Sequence, residues 1–233
     1  MYPTIESSVN DIVNAAWDIM DGIKVPKTED IVMKNGGRRI EAAYLYADLA
    51  DSTKLAHTML PETTATIIRA YINSAARVIR HFGGEIRSFD GDRVMCIYTG
   101  DDKNKKAVRT AMAINFAVEI VIRQAIENKW TDVSKTYTIG HGIGIDTGEA
   151  LIVRGGVRDN NDLISVGHAP NDAAKLSEYR GSTINITKAV YDDLDESLLI
   201  ASDGHSRMWR PSDGRVALGA YTPCYHSNYY WSV

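Results

Sequence analysis

Apolar positions along the chain recur with two rhythms, one near 3.6 residues and one of two, and the changes of rhythm outline the elements. Ile5, Val9, Ile12, Val13, Ala16, Trp17 and Met20 fall at helical spacing and predict an amphipathic helix over 5–22, stopped by Gly22. Residues 23–40, broken by Pro26 and Gly36-Gly37, predict a connecting arm. The apolar run over 42–47 predicts a buried strand whose end carries Asp48-Leu49-Ala50-Asp51-Ser52-Thr53, with Ser52 and Thr53 suited to cap a following helix. Leu60-Pro61-Glu62 opens a helix whose apolar face runs from Ile67 to Phe82, and Gly83-Gly84 stops it. From Glu85 to Tyr98 two strand-like runs flank Asp90-Gly91, a strong hairpin signal that leaves Asp92 at the head of the second strand. A second long helix is predicted from about Lys105 to Lys129, then a strand from Tyr137 to Asp146. That strand carries Gly140, Gly142 and Gly144, which mark a bulge or the close approach of a backbone or ligand. A polar loop over 154–162, a short apolar run from Leu163 to Val166 and a helix from about Pro170 to Tyr179 follow. The tail reads as a short strand at 183–187, a helix to about Leu194 and aromatic-rich strands to Val233.

The middle of the chain therefore predicts an α+β fold in the order β-α-β-β-α-β, the ferredoxin-like order, followed by accessory strands and a helix. In that order the helices cover one face of an antiparallel sheet and leave the other for a ligand or partner. Side chains alternate along a strand, so Tyr44, Tyr46 and Asp48 share one face while Leu45 and Ala47 share the other. The Leu45 face is assigned to the helices and the Tyr46 face to the site.

Composition adds limits. With 233 residues, the chain suits one large domain, read as 41–233, preceded by a helix and arm over 1–40. A formal net charge of -4 gives no reason to expect nucleic acid as a partner. Cys96 and Cys224 lie far apart with no metal-ligand spacing, and Cys96 reads as a reduced core thiol. No apolar run approaches the roughly 20 residues of a membrane span, and the N-terminus lacks a secretory pattern. No stable membrane association is expected, and cytoplasmic is the default.

Asp48 ends the first strand and Asp92 begins another across a hairpin, which in this topology is its neighbour. Paired carboxylates there suit hard cations such as Mg²⁺ and the phosphates they carry. Two such ions about 3.5–4 Å apart can activate an attacking oxygen and stabilise a leaving pyrophosphate. Amides at Ser52 and Thr53 could hold phosphate oxygens. Either Asp alone reads more simply as a cap or turn residue; the two together, in this order of elements, favour a metal site.

At these residues the chain resembles the class III nucleotidyl cyclase catalytic domain. Tyr46-Ala47-Asp48-Leu49-Ala50-Asp51-Ser52-Thr53 resembles its first metal motif, and Asp90-Gly91-Asp92-Arg93-Val94-Met95 its second. Ile143 to Gly148 resembles its glycine-rich strand and turn, and Gly167 to Lys175 the stretch that supplies a transition-state Asn and Arg. The resemblance covers roughly 40–195. It implies a head-to-tail homodimer with shared active sites, where one protomer gives Asp48, the Leu49 carbonyl and Asp92 to two Mg²⁺ or Mn²⁺ ions. The other protomer gives Asn171 and a cation. The substrate would be a nucleoside triphosphate, cyclised by attack of its 3′-hydroxyl on the α-phosphate. Asp51, Ser52, Thr53 and Tyr46 would meet the substrate.

Three positions depart from the family pattern. The purine-reading positions hold Ser88 and Ile164, and the transition-state Arg position holds Lys175, which cannot make a bidentate fork. Arg180 lies outside the motif and could substitute. The whole pattern, including Val25-Pro26, is similar to the bacterial pyrimidine cyclases of anti-phage defence, which make cyclic UMP or cyclic CMP for a separate effector. UTP is favoured over CTP. The alternatives are an adenylate or guanylate cyclase with unusual base readers, or a catalytically silent nucleotide-binding dimer.

Overall fold

A computed structural model describes residues 3–134, 136–157, 159–212 and 222–232. The chain opens with α1 (Ile5–Asn14), β1 (Asp18–Gly22) and a single 3-10 turn, then β2 (Gly36–Leu49), α2 (Ser52–Thr58) and α3 (Pro61–His81). The hairpin is β3 (Glu85–Asp90) and β4 (Arg93–Tyr98). The second long helix comprises α4 (Lys103–Phe116), a π-helical stretch over Ala117–Ile122 and α5 (Arg123–Lys129), with the short α6 (Thr131–Ser134) after it. Then come β5 (His141–Val157), β6 (Asn160–Val166), α7 (His168–Glu178) and β7 (Ile184–Thr187). The chain closes with α8 (Lys188–Tyr191), α9 (Glu196–Leu199), β8 (Arg210–Pro211) and β9 (Cys224–Ser227).

The strands form one sheet in the order β3-β4-β2-β5-β7-β9-β8, with β1 pairing β2 and β6 pairing β5 beside that path. Each neighbouring pair in the series β3, β4, β2 and β5 is antiparallel, and the series has the expected ferredoxin-like order. Ala43, Leu45, Ala47 and Leu49 face a core built with Ile67, Tyr71 and Ile79 of α3 and Ala107, Ala111 and Met112 of α4. The Leu45 face is thus the helix face.

The opposite face is not open along its whole length. Tyr44 is fully buried there in a second cluster with Ala42, Met95, Ile152 and, from α7, Ala169 and Ala173. Tyr46 and Asp48, nearer the strand end, are partly exposed on that side. α7 reaches the sheet because β5 is bare beneath it. A Cβ at Gly144 would sit 2.0 Å from the Ala173 carbonyl oxygen, and one at Gly142 would sit 2.2 Å from that of Ser177. The close approach expected at these glycines is a helix backbone.

Several boundaries differ from expectation: the strand expected from Tyr137 begins at His141, the last strand among the described residues ends at Ser227, and three differences are larger. The helix over 5–22 stops at Asn14, and 18–22 is strand, pairing in parallel with 36–40. Asn35, at φ +46, donates to the carbonyls of Ile12 and Ala15 and so closes the helix end and turns the chain. No residue of α1 is buried, so its apolar spacing has no surface in this chain to extend along. The arm over 23–40 gives its last residues to β2, which begins at Gly36, not at 42. The polar stretch 154–162 is no loop: β5 runs to Val157 and β6 starts at Asn160, paired from Leu151↔Val166 to Val157↔Asn160. This is a ribbon with water on much of both faces, so its strands carry polar residues without a clean alternation. Arg158 and the tail residues 213–221 lie outside the described residues.

Candidate active site

Asp48 and Asp92 meet because of register. Asp48 pairs with Arg93 at the end of the β2–β4 ladder, and Asp92 is the preceding residue, in the turn. Gly91 takes φ +61 with nothing near its missing Cβ, which lets a two-residue turn close the hairpin and present Asp92 at its tip. Next to Asp48, Asp51 adopts the left-handed conformation (φ 57) at the start of α2 and makes no side-chain cap. Ser52 and Thr53 are therefore helix residues and not the cap, and their first-turn amides lie free of intrahelical partners. These residues border one cleft of about 690 Å³, lined by Asp48, Leu49, Asp51, Ser52, Thr53, Lys54, His57, Asp92, Arg93, Glu178 and Arg180.

The charge state of this cleft follows from its surroundings. Burial pushes the Asp48 carboxyl above its ordinary value and the charge of Asp92 adds to this, while the hydrogen bond and charge of Arg180 oppose it. Arg180 Nη2 donates to Asp48 Oδ2 at 2.7 Å. Arg93 lies 5.7 Å over the Tyr46 ring, with its guanidinium paired to Glu178 at 3.1 Å and to Asp90 at 3.3 Å. Below, the fully buried Tyr71 hydroxyl has no hydrogen-bond partner among the described residues. Burial, with the negative charges of Asp48 and Asp92, holds it well above the usual phenol range. Tyr137 is pushed up to about 12, again chiefly by burial and then by Asp51 and Asp92. His141 is held down to about 3 by burial, then by Arg180 and Arg123, so it is neutral; its Nε2 pairs with Asn115 Oδ1 at 3.1 Å.

The donors that converge here, two carboxylates, the end of β2 and a helix start, are all hard oxygens or amides, a set that fits Mg²⁺ or Mn²⁺ with a phosphate. A guanidinium already seated on Asp48 shows that the carboxylate accepts a cation at this point. The other expected residues lie elsewhere. Asn171 and Lys175 are exposed on α7, Asn171 bonding back to the Gly167 carbonyl at 3.0 Å, and neither borders the cleft. Ser88 is exposed on β3 beside a register shift in the β3–β4 ladder, and Ile164 is 51% exposed on β6. Arg87 of β3 reaches Asp162 of β6 at 3.4 Å, which ties those two strands together across the Tyr46 face.

Sequence reasoning did not anticipate Arg93, Glu178, Lys54 or His57 at the cleft. Their only local signal is proximity to the motif carboxylates and to α7. It also missed a second acidic group. Asp146, His168 and Asp172 offer ligand atoms within 4.8 Å of one another and could hold a metal. Asp146 is buried there, with Thr187 and His168 as hydrogen-bond partners. Cys96 and Cys224 are free and buried, with thiols pushed up to about 12 and about 11 mainly by burial, as befits inert core thiols. No helix among the described residues is long and apolar enough to cross a membrane.

No family model matches the chain. It is 42% identical over 212 residues to a uridylate cyclase from Rhodovulum sp. (strain MB263), covering 90% of this chain and 88% of that protein. It is 37% identical over 228 residues to a uridylate cyclase from Burkholderia cepacia, covering 97% of this chain and 96% of that protein. The fold superposes on the adenylyl cyclase CyaB from P. aeruginosa with TM-score 0.68 at 21% identity, over 82% of this chain and 95% of that one. The chain belongs to the uridylate cyclase family, and it is a nucleotidyl cyclase built on the class III cyclase fold.

Proposed function

We propose that the protein converts UTP, in preference to CTP, to its 3′,5′-cyclic monophosphate and pyrophosphate. The observation that carries this reading is the convergence of Asp48 and Asp92 on one cleft beside a helix start, in a chain whose relatives are named uridylate cyclases. Asp48, Asp92 and the Leu49 carbonyl would hold two Mg²⁺ or Mn²⁺ ions, which when bound supply charge neutralisation at the α-phosphate and acidify the attacking hydroxyl. The chain's own work is positioning. The amides of Ser52 and Thr53 grip phosphate oxygens. Asp51 borders the same phosphates and orders the loop that presents those amides. Tyr46, pinned under Arg93, narrows the base position to a pyrimidine, while Ser88 and Ile164 offer no purine-reading carboxylate or amine.

The site is completed across a head-to-tail homodimer, with Asn171 and Lys175 of one protomer serving the cleft of its partner. Their exposure on α7, away from their own cleft, supports this arrangement. Lys175 supplies the cation as a point charge instead of a fork. The product serves as a second messenger for a separate effector in anti-phage defence. Incubation with UTP and Mn²⁺ should give cyclic UMP and pyrophosphate in equal amounts by chromatography, and EDTA should stop both. Linear UMP as the main product would replace cyclisation with hydrolysis.

A further inference from the structure

Arg180 follows α7 and is held at both ends of its guanidinium. Nη1 donates to the Ser177 carbonyl at 2.7 Å and Nη2 to Asp48 Oδ2 at 2.7 Å. The sheet is bare below it: a Cβ at Gly142 would come within 2.4 Å of Nη1. That glycine gives the guanidinium its seat over β5. The Asp48 side chain is 16% exposed and that of Arg180 41%, so the acceptor is enclosed while the donor keeps a path out. On its other side opens a polar cleft of about 620 Å³, bordered by Asp51, Asn115, Glu119, His141 and Asn228, with Arg180 as a shared wall.

Given the reading that Asp48 binds a divalent ion, we infer that Arg180 is a resident cation of that site, which orients Asp48 in the metal-free protein and competes with the ion for Oδ2. A guanidinium and a divalent ion on one carboxylate oxygen repel each other at this range. Binding of the ion therefore releases Arg180 toward the second cleft, which Asp51 and Glu119 border. The latch keeps the enclosed Asp48 carboxylate compensated and sets a threshold of metal concentration for filling the site. It is a different role from transition-state stabilisation, because it acts before substrate arrives and within one chain.

Manganese binding measured by electron paramagnetic resonance, without nucleotide, separates the roles. Arg180→Gln removes the competing charge and should bind Mn²⁺ about tenfold tighter than the wild type, the size of one charge-assisted hydrogen bond discounted for its exposed partner. Arg180→Lys keeps the charge and should stay within about twofold of the wild type, since the competing charge is unchanged. Equal or weaker binding by Arg180→Gln overturns the inference and makes Arg180 a supporting residue. Asp48→Asn distinguishes the two levels: undiminished Mn²⁺ binding by that variant overturns the metal reading itself, and the latch with it.

Discussion

Asp48→Asn should lower the rate of pyrophosphate release by about a thousandfold or more, the scale lost when an electrostatic stabiliser of a transition state is removed. The change keeps the side chain's shape and leaves an oxygen able to accept from Arg180, so folding should survive. The ion pair it weakens has a partly exposed partner, and pairs of that kind contribute about 1 kcal/mol or less. Asp92→Asn should act in the same direction, because the Asp92 side chain, in the hairpin turn, makes no hydrogen bond or ion pair among the described residues that its amide would break. Turnover at fixed saturating UTP, with thermal unfolding recorded beside it, checks both. Activity within tenfold of the wild type in either variant would remove the two-carboxylate mechanism.

A mixture of two inactive variants should recover activity. Asp48→Asn disables the cleft of its own chain, whereas Lys175→Ala disables the cation lent to the partner. Neither homodimer then has a complete site. In a heterodimer one site carries both changes and the other carries none. Random pairing of equal amounts makes half the dimers mixed, so about a quarter of wild-type activity should return. Refolding or coexpressing the two variants together, with each alone as control, reads this out. No recovery would place Asn171 and Lys175 outside the site, and would leave their exposure on α7 without a catalytic meaning.

The centre of the fold was legible because its signals are local. The Asp90-Gly91 turn flanked by apolar runs specifies a hairpin, and hairpin pairing then brings Asp92 beside the end of β2 whatever the rest does. The apolar run ending at Asp48 reads as a buried strand because both its faces are covered, by α3 and α4 on one side and α7 on the other. The extremities were not legible. Residues 5–22 keep helical spacing past Asn14, yet the end is decided by Asn35, a residue 20 positions beyond the Ala15 carbonyl that it bonds. The β5–β6 ribbon is polar because little covers it, and its strands are held by backbone pairing, which leaves no hydrophobic period to read. Arg180 reaches Asp48 only because α7 crosses β5 at Gly142 and Gly144. Those glycines were the visible trace of the contact, but spacing alone does not say whether a ligand or a helix fills them.

The base accepted decides between a pyrimidine and a purine cyclase. The most direct measurement is pyrophosphate release from UTP, CTP, ATP and GTP supplied in turn, with Mn²⁺ and with EDTA. UTP should be turned over fastest, CTP more slowly, and the two purines at least about tenfold below UTP, since a pocket narrowed by Tyr46 must expel the larger ring. All four rates should vanish with EDTA. Equal turnover of ATP and UTP would contradict the account.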